Sequence, residues 1–207
     1  LASATDIIIT INGEDYRNAC DFRLKPGGTV CQIPGIGLDT EEFRPPDAEE
    51  RAASRRRLGI PEDVFFLLSV GELNQNKNHR VILQAMHELK NTENDGRKIF
   101  YGSCGDGPGR EALESEIRRL GLERQTALYG YCDPVRDYLA GADVFAFPSR
   151  REGLGMAALE ALSMGIPVLA ADNRGTREYM ESGKNGYVCG WQNADGFAEG
   201  IRKLEAQ

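Results

Sequence analysis

The chain has 207 residues, with 25 Lys and Arg against 32 Asp and Glu, a net charge of −7. Its 41% hydrophobic and 28% charged content is that of an ordinary globular protein, which excludes a disordered tail and a small disulfide-stapled scaffold. The acidic balance argues against a general nucleic-acid binder, because neutralising phosphates needs an excess of Lys and Arg. No apolar run approaches the ~20 residues of a membrane span.

Residues 6–11 (DIIITI) are the first expected strand, followed by a short polar helix over 14–20. A turn at Lys25-Pro26-Gly27-Gly28 leads to a strand over 29–33 and a Gly- and Pro-rich loop over 34–46. Residues 47–58 read as a charged surface helix closed by Gly59. The continuous apolar run 64–70 (VFFLLSV) reads as a strand covered on both faces. Helix 78–90 carries Val81, Ile82, Ala85, Met86 and Leu89 on one stripe. Then come strand 98–101, helix 109–120, strand 126–129, a short helix at 135–140 and strand 143–147. Helix 154–164, strand 167–170, a short helix at 176–181, strand 186–188 and helix 194–204 complete the chain. This alternation predicts an α/β fold, a Rossmann-like parallel sheet with helices on both faces.

The five cysteines, Cys20, Cys31, Cys104, Cys132 and Cys189, are widely spaced and contain no Cys-x-x-Cys pair. They suit neither a zinc cage nor a disulfide framework, and read as small buried thiols in a reducing cytoplasm. The chain opens at Leu1-Ala2-Ser3 with neither an initiator Met nor a signal-peptide pattern, so it is read as a piece of a longer protein.

In such folds ligands sit beyond the carboxyl ends of the strands, so chemistry is sought in the loops there. The loop over 70–79 (VGELNQNKNH) puts Lys77 at a strand's mouth, a point charge suited to phosphate. A solvated loop lysine is the plain alternative. The stretch 101–109 (YGSCGDGPG) sets four glycines between a strand and a helix, where glycine lets backbone approach a ligand. Its spacing is neither GxGxxG nor a Walker loop, and such turns also serve packing alone.

Residues 147–161 (FPSRREGLGMAALEA) carry the strongest signal. Glu152 precedes the expected helix, and Gly153 and Gly155 leave its first N–H groups uncovered. A bare helix N-terminus is an anion site worth roughly half a positive charge. Glu160 lies eight residues on, and two turns take about 7.2 residues, so it falls on roughly the same face. Its helix is otherwise apolar, so that carboxylate needs partners. A helix-capping Glu152 and a buried ion pair at Glu160 are the structural alternatives. Taken together, the group reads as a sugar-nucleotide site, with the anion on the amides and the hydroxyls on the carboxylates. His79 is read as able to reach the phosphates and His87 as a surface residue.

This stretch resembles the E-x7-E motif of the retaining glycosyltransferases of family 4 (group 1), with Glu152 and Glu160 as its two acids. Ile33-Pro34-Gly35-Ile36-Gly37-Leu38-Asp39, with Phe43 and Pro45, is similar to the segment opening that family's C-terminal domain. Residues 70–77, Gly105-Asp106-Gly107-Pro108, Phe147-Pro148-Ser149, Gly165-Ile166-Pro167-Val168 and the pair Gly183 and Gly186 fit in the same order, over roughly residues 30 to 205. The run 173–178 (NRGTRE) looks most like members that build capsular or exopolysaccharide. The resemblance implies one half of a GT-B architecture. Residues 1–28 would be a remnant of the N-terminal acceptor domain, and 29–207 the C-terminal nucleotide-sugar-binding domain.

By that resemblance Glu152 is the catalytic residue, contacting the donor sugar, and Glu160 grips the ribose. Lys77 and the amides of Leu154 and Gly155 hold the diphosphate, with Gly153 counted among the donor-binding residues. Tyr131 and Cys132 meet the base, and Gly105 lets the nucleotide close in. The implied reaction retains configuration and needs no metal, no Asp-x-Asp pair being present. It uses no cofactor besides the nucleotide-sugar donor, for which UDP is favoured. The implied partner is a saccharide or lipid-linked acceptor bound by the missing half, with no nucleic acid and no transmembrane segment. The implied place is the cytoplasm, peripheral at the inner face of the membrane, and the fragment would bind donor without being active alone. Glu72 departs from the family's usual Arg, leaving Arg150, Arg151 or Arg174 as substitute cations. A GT-B sugar-nucleotide epimerase and a non-catalytic nucleotide-binding module are the alternatives.

Overall fold

The computed structural model describes residues 2–91 and 98–206. After a single 3-10 turn, Ala2–Ala4, come β1 (Ile7–Thr10), α1 (Gly13–Cys20) and β2 (Thr29–Gln32). β1 and β2 pair in parallel as a sheet of their own, with Ile7 opposite Thr29. β2 thus belongs with the residues before position 28, and the small sheet straddles the division expected there. Ile7 and Ile9 alternate onto one exposed face of it.

The remaining elements are α2 (Ala48–Leu58), β3 (Val64–Val70), α3 (Arg80–Asn91), β4 (Lys98–Cys104), α4 (Arg110–Leu120) and β5 (Thr126–Gly130). They continue with α5 (Arg136–Leu139), β6 (Val144–Phe147), α6 (Met156–Ser163), β7 (Val168–Ala171), β8 (Gly186–Cys189) and α7 (Ala194–Glu205). The six strands from β3 to β8 form one parallel sheet in the order β5-β4-β3-β6-β7-β8. The α/β alternation therefore gives the doubly wound sheet it predicts. β3 shows why: Phe65 and Leu67 enter the core with α3, α4 and α7, whereas Val64, Phe66 and Leu68 enter the opposite core with α5 and α6. Each such side chain contributes about 1.5–3 kcal/mol on burial.

Several local expectations change. α2 begins on a capping box at Asp47 and ends on left-handed Gly59, as read, yet it is not purely a surface helix. Arg55 is fully buried, 3.2 Å from Asp143, and donates to the carbonyls of Pro61, Val64 and Gly141. β4 runs on to Cys104, so Gly102 lies inside a strand, where a Cβ would sit 2.7 Å from the Tyr129 ring. α6 starts at Met156 rather than 154, because Gly155 takes φ 91° and serves as the N-cap. The short helix expected at 176–181 is a 3-10 turn, Thr176–Glu178. All five cysteines are free thiols, but only Cys104 is buried and Cys20 is exposed, which corrects the reading of five buried thiols. Among the described residues no helix is long and apolar enough to cross a membrane.

The chain winds outward from β3 through β4 to β5, then returns to place β6 on β3's other side. That reversal opens a crevice between the carboxyl ends of β3 and β6, where open α/β sheets bind ligands.

Candidate functional site

A cavity of about 480 Å³ fills this crevice. Its walls include Gly71 and Lys77 from the β3 loop, Glu152, Gly153, Leu154 and Gly155 from the β6 loop, and Glu160 of α6. A neighbouring cavity of about 290 Å³ shares Val70 and Gly71 with it and is lined by Glu72, Gly105, Tyr131 and Cys132. Every donor-site residue singled out in the sequence thus lies along one groove over the tops of β6, β3, β4 and β5.

The turn leading into α6 has its polar groups sorted by direction. The carbonyls of Arg151, Glu152 and Gly153 accept hydrogen bonds from Asn76 Nδ2 (3.0 Å), Arg174 Nε (3.2 Å) and Asn12 Nδ2 (2.8 Å). Among the described residues, the amides of Glu152, Gly153, Leu154 and Gly155 donate to no protein acceptor. Gly155 supplies no side-chain cap to the helix either. The receptive amides therefore begin before the helix proper, at 152–155. These four residues line the cavity, and amides without a protein acceptor are open to an acceptor from a ligand. Leu154 also works through its side chain, which lies so close to Gly35 that a Cβ there would come within 2.8 Å.

Lys77 and Glu152, read separately in the sequence, form an ion pair of 2.7 Å. Their side chains are 26% and 14% exposed, so the pair is only partly screened. Glu152 is thus a partner of Lys77 rather than a helix cap. Lys77 is the one cation lining the larger cavity among the described residues. Glu160 is half-buried and has no ion-pair partner among the described residues, so the buried ion pair considered for it is absent. Burial first, and then the charge of Glu42, hold its carboxyl above the usual range.

Gly105 is required by packing: its φ is 140° and a Cβ would fall 1.9 Å from the Gly71 carbonyl oxygen. Gly107 and Gly109 press on Leu73 in the same way, each with a Cβ position 2.7 Å from its carbonyl oxygen. Tyr131 is 85% exposed at the rim of the smaller cavity, and Cys132 Sγ lies 3.3 Å from the Gly130 carbonyl. Glu72 faces that cavity and accepts from Asn74 at 2.6 Å. Of the substitute cations, Arg150 stacks over Trp191 at 4.6 Å, and Arg174 is tied to Asp15. Arg151 is exposed.

His79 does not reach the groove as expected. It is buried, with Nδ1 2.9 Å from the Tyr101 hydroxyl, and burial pulls its pKa down to about 4. The sequence reading missed the asparagines that hold the loop: Asn12, Asn76, Asn78 on Pro148 O, and Asn173 on Ser149 O. The alternation Asn74-Gln75-Asn76-Lys77-Asn78 was the available signal, since Asn is the residue whose amide reaches backbone carbonyls at short range. It also missed Tyr179, whose hydroxyl is buried against Gly155 without a hydrogen-bond partner among the described residues.

Fold and crevice together define a doubly wound α/β domain with an open groove at its switch point, lined by Lys77 and by residues whose amides have no protein acceptor among the described residues. The chain matches the family described as glycosyl transferases group 1 over residues 50–207, and it belongs to that family. It is 37% identical over 204 residues to glycosyltransferase EpsD of Bacillus subtilis (strain 168), covering 99% of this chain and 52% of that protein. The chain therefore spans about half the length of the curated relatives it matches. Anabaena HepE, solved in complex with UDP and glucose, superposes with a TM-score of 0.82 at 21% identity, over 96% of this chain and 53% of that one. The C-terminal domain of the group 1 glycosyl transferase LpcC from Francisella tularensis gives a TM-score of 0.71 at 21% identity, over 83% of this chain and 89% of that one. The fold is thus that of one half of the GT-B glycosyltransferases.

Proposed function

We propose that this chain is the donor-binding half of a retaining, metal-independent glycosyltransferase that moves a sugar from a UDP-sugar to a saccharide or lipid-linked acceptor in polysaccharide synthesis. The observation carrying this reading is the row of four free amides at 152–155, beside a lysine and between two carboxylates. A diphosphate matches it group for group. Its oxygens take the amides and the positive end of α6, both preorganised where leaving-group charge develops. Lys77 passes from Glu152 to the diphosphate, adding the cation that a metal supplies elsewhere.

That exchange frees the Glu152 carboxylate to accept the sugar's hydroxyls and to steady the charge on its ring. The acceptor attacks on the leaving-group face, and the departing phosphate takes its proton. Glu160, a half-buried carboxylate without a counterion, accepts the paired ribose hydroxyls. The rim at Tyr131 and Cys132 receives the base. UDP is favoured because HepE was solved with UDP. The polysaccharide role rests on the likeness of residues 173–178 to capsule and exopolysaccharide members, and a lipid-linked acceptor places the enzyme at the cytoplasmic face of the membrane. The acceptor half lies outside this chain, which alone binds donor without transferring it.

Calorimetric titration of the chain with UDP, GDP and ADP tests the reading. It predicts UDP binding, with GDP and ADP weaker by about tenfold or more. A chain that binds none of the three, nor any UDP-sugar, contradicts it.

A further inference from the structure

The β6–α6 turn is held partly by residues outside the large sheet. Asn12 and Asp15 belong to the small β1–α1–β2 unit, and both converge on it. Asn12 is fully buried; its Oδ1 caps α1 by accepting from Asp15 N at 2.7 Å. Its Nδ2 is shared between Asp15 Oδ2 and the Gly153 carbonyl, 2.8 Å from each. The other Asp15 oxygen, Oδ1, pairs with Arg174 Nη1, and Arg174 Nε reaches the Glu152 carbonyl. One carboxylate therefore fixes both donors that grip two consecutive carbonyls of the turn.

In a trans peptide the C=O and the following N–H point in opposite directions. The holds on the carbonyls of Glu152 and Gly153 fix the two peptide planes that carry the amides of Gly153 and Leu154 on their opposite edges. We infer that Asp15 is a positioning residue for donor binding. Through Asn12 and Arg174 it sets the orientation of the two amides that meet the diphosphate. The inference rests on the donor-binding reading given above. It also makes the donor site a property of two units, so that nucleotide affinity depends on the seating of the small unit against the large one.

The same seam supplies its own control. Glu14 pairs with Arg177 at 3.3 Å, and Glu178 accepts from Gly13 N at 2.7 Å, but neither touches a carbonyl of the turn. Glu14→Gln loosens the seam without altering the grip.

The experiment is UDP titration of the wild-type chain, Asp15→Asn, Arg174→Gln and Glu14→Gln, by calorimetry and by 15N amide spectra. Asp15→Asn and Arg174→Gln weaken UDP binding about tenfold, the lower end of what supporting hydrogen-bond partners contribute in metal sites. Glu14→Gln binds UDP as the wild-type chain does. The Gly153 and Leu154 resonances move on UDP addition in the wild-type chain and in Glu14→Gln, and lose most of that movement in Asp15→Asn. Wild-type affinity in Asp15→Asn overturns the inference, as does an equal loss in Glu14→Gln, which reduces Asp15 to a docking contact. If Asp15→Asn does not fold, Arg174→Gln decides alone, and wild-type affinity there overturns it. A wild-type chain that ignores UDP removes the donor-binding reading and this inference with it.

Discussion

The turn after β6 and the glycine loop after β4 occupy equivalent places, each carrying the chain from a parallel strand toward a helix. Their backbone groups are used in opposite ways. In the β4 loop the amides are consumed internally: Gly105 N donates to Gly130 O, Gly107 N to Asp106 Oδ1, and Gly109 N to Leu73 O. In the β6 turn the carbonyls are tied down and the amides of 152–155 are left free. Glycine serves close packing in both, since a Cβ at Gly155 would come within 2.7 Å of the Phe147 ring, but only the second turn also leaves a run of amides free. The loop richer in glycine is therefore the less receptive one. What separates the two turns is which backbone groups are left without a partner, not their glycine content.

Substitution at the two loops breaks the comparison most strongly. Gly105→Ala puts a methyl into the Gly71 carbonyl at a positive φ, so strain and overpacking add to a loss of about 3 kcal/mol or more. Urea unfolding measures it, and an unchanged midpoint shows that the loop is not packed as described.

Beneath the β3 loop, His79 makes the next largest effect. Its folded pKa of about 4 lies below the ordinary 6.5, so the unfolded chain binds more protons between those values. Stability from this residue is present above pH 6.5 and is lost as pH falls toward 4, by roughly 3 kcal/mol in all. His79→Gln flattens that stretch of the stability–pH curve if neutral burial is its cause.

Glu160→Ala weakens UDP binding by about 1.5–3 kcal/mol, the range for hydrogen bonds to charged groups. Unchanged calorimetric affinity removes the ribose role. The sign of its pH effect follows from its raised pKa. The folded chain holds this proton more tightly than an unfolded carboxyl near 4.5, so the group costs stability as pH rises through 4.5. Accepting ribose hydroxyls favours the ionised form, and burial and Glu42 hold the proton on, so acidification lowers UDP affinity in the wild-type chain more than in Glu160→Gln.

The smallest effect sharpens the contrast with Gly105. At Gly153 a Cβ meets only the Ile11 side chain, at 3.4 Å and beyond, and Gly153→Ala changes stability by less than about 0.5 kcal/mol. A large loss there erases the distinction between the two loops.

The large sheet was legible because its strands are continuous apolar runs and its helices carry one apolar stripe. Glu152 and Glu160 were legible as two acids flanking a glycine-marked helix start, and both line the cavity, but α6 begins at Met156, so Glu152 reaches it from the turn and not by helical periodicity. What holds the site was not. The pairing of Lys77 with Glu152 spans 75 positions, and the grip of Asn12 on Gly153 spans 141. Short-range spacing carries no trace of such contacts. The burial of Arg55 was hidden for the same reason, since its partner Asp143 belongs to a distant strand entry. The end of β4 was misplaced because Gly102 reads as a breaker, although in the sheet its missing side chain makes room for Phe66 and Tyr129.

The most direct test is a crystal structure of this chain with UDP. The account predicts diphosphate oxygens within about 3 Å of the amides at 153–155, with Lys77 drawn from Glu152 onto the phosphate. A diphosphate seated on the glycine loop at 105–109, with the pair of Lys77 and Glu152 intact and the amides at 153–155 still empty-handed, contradicts it.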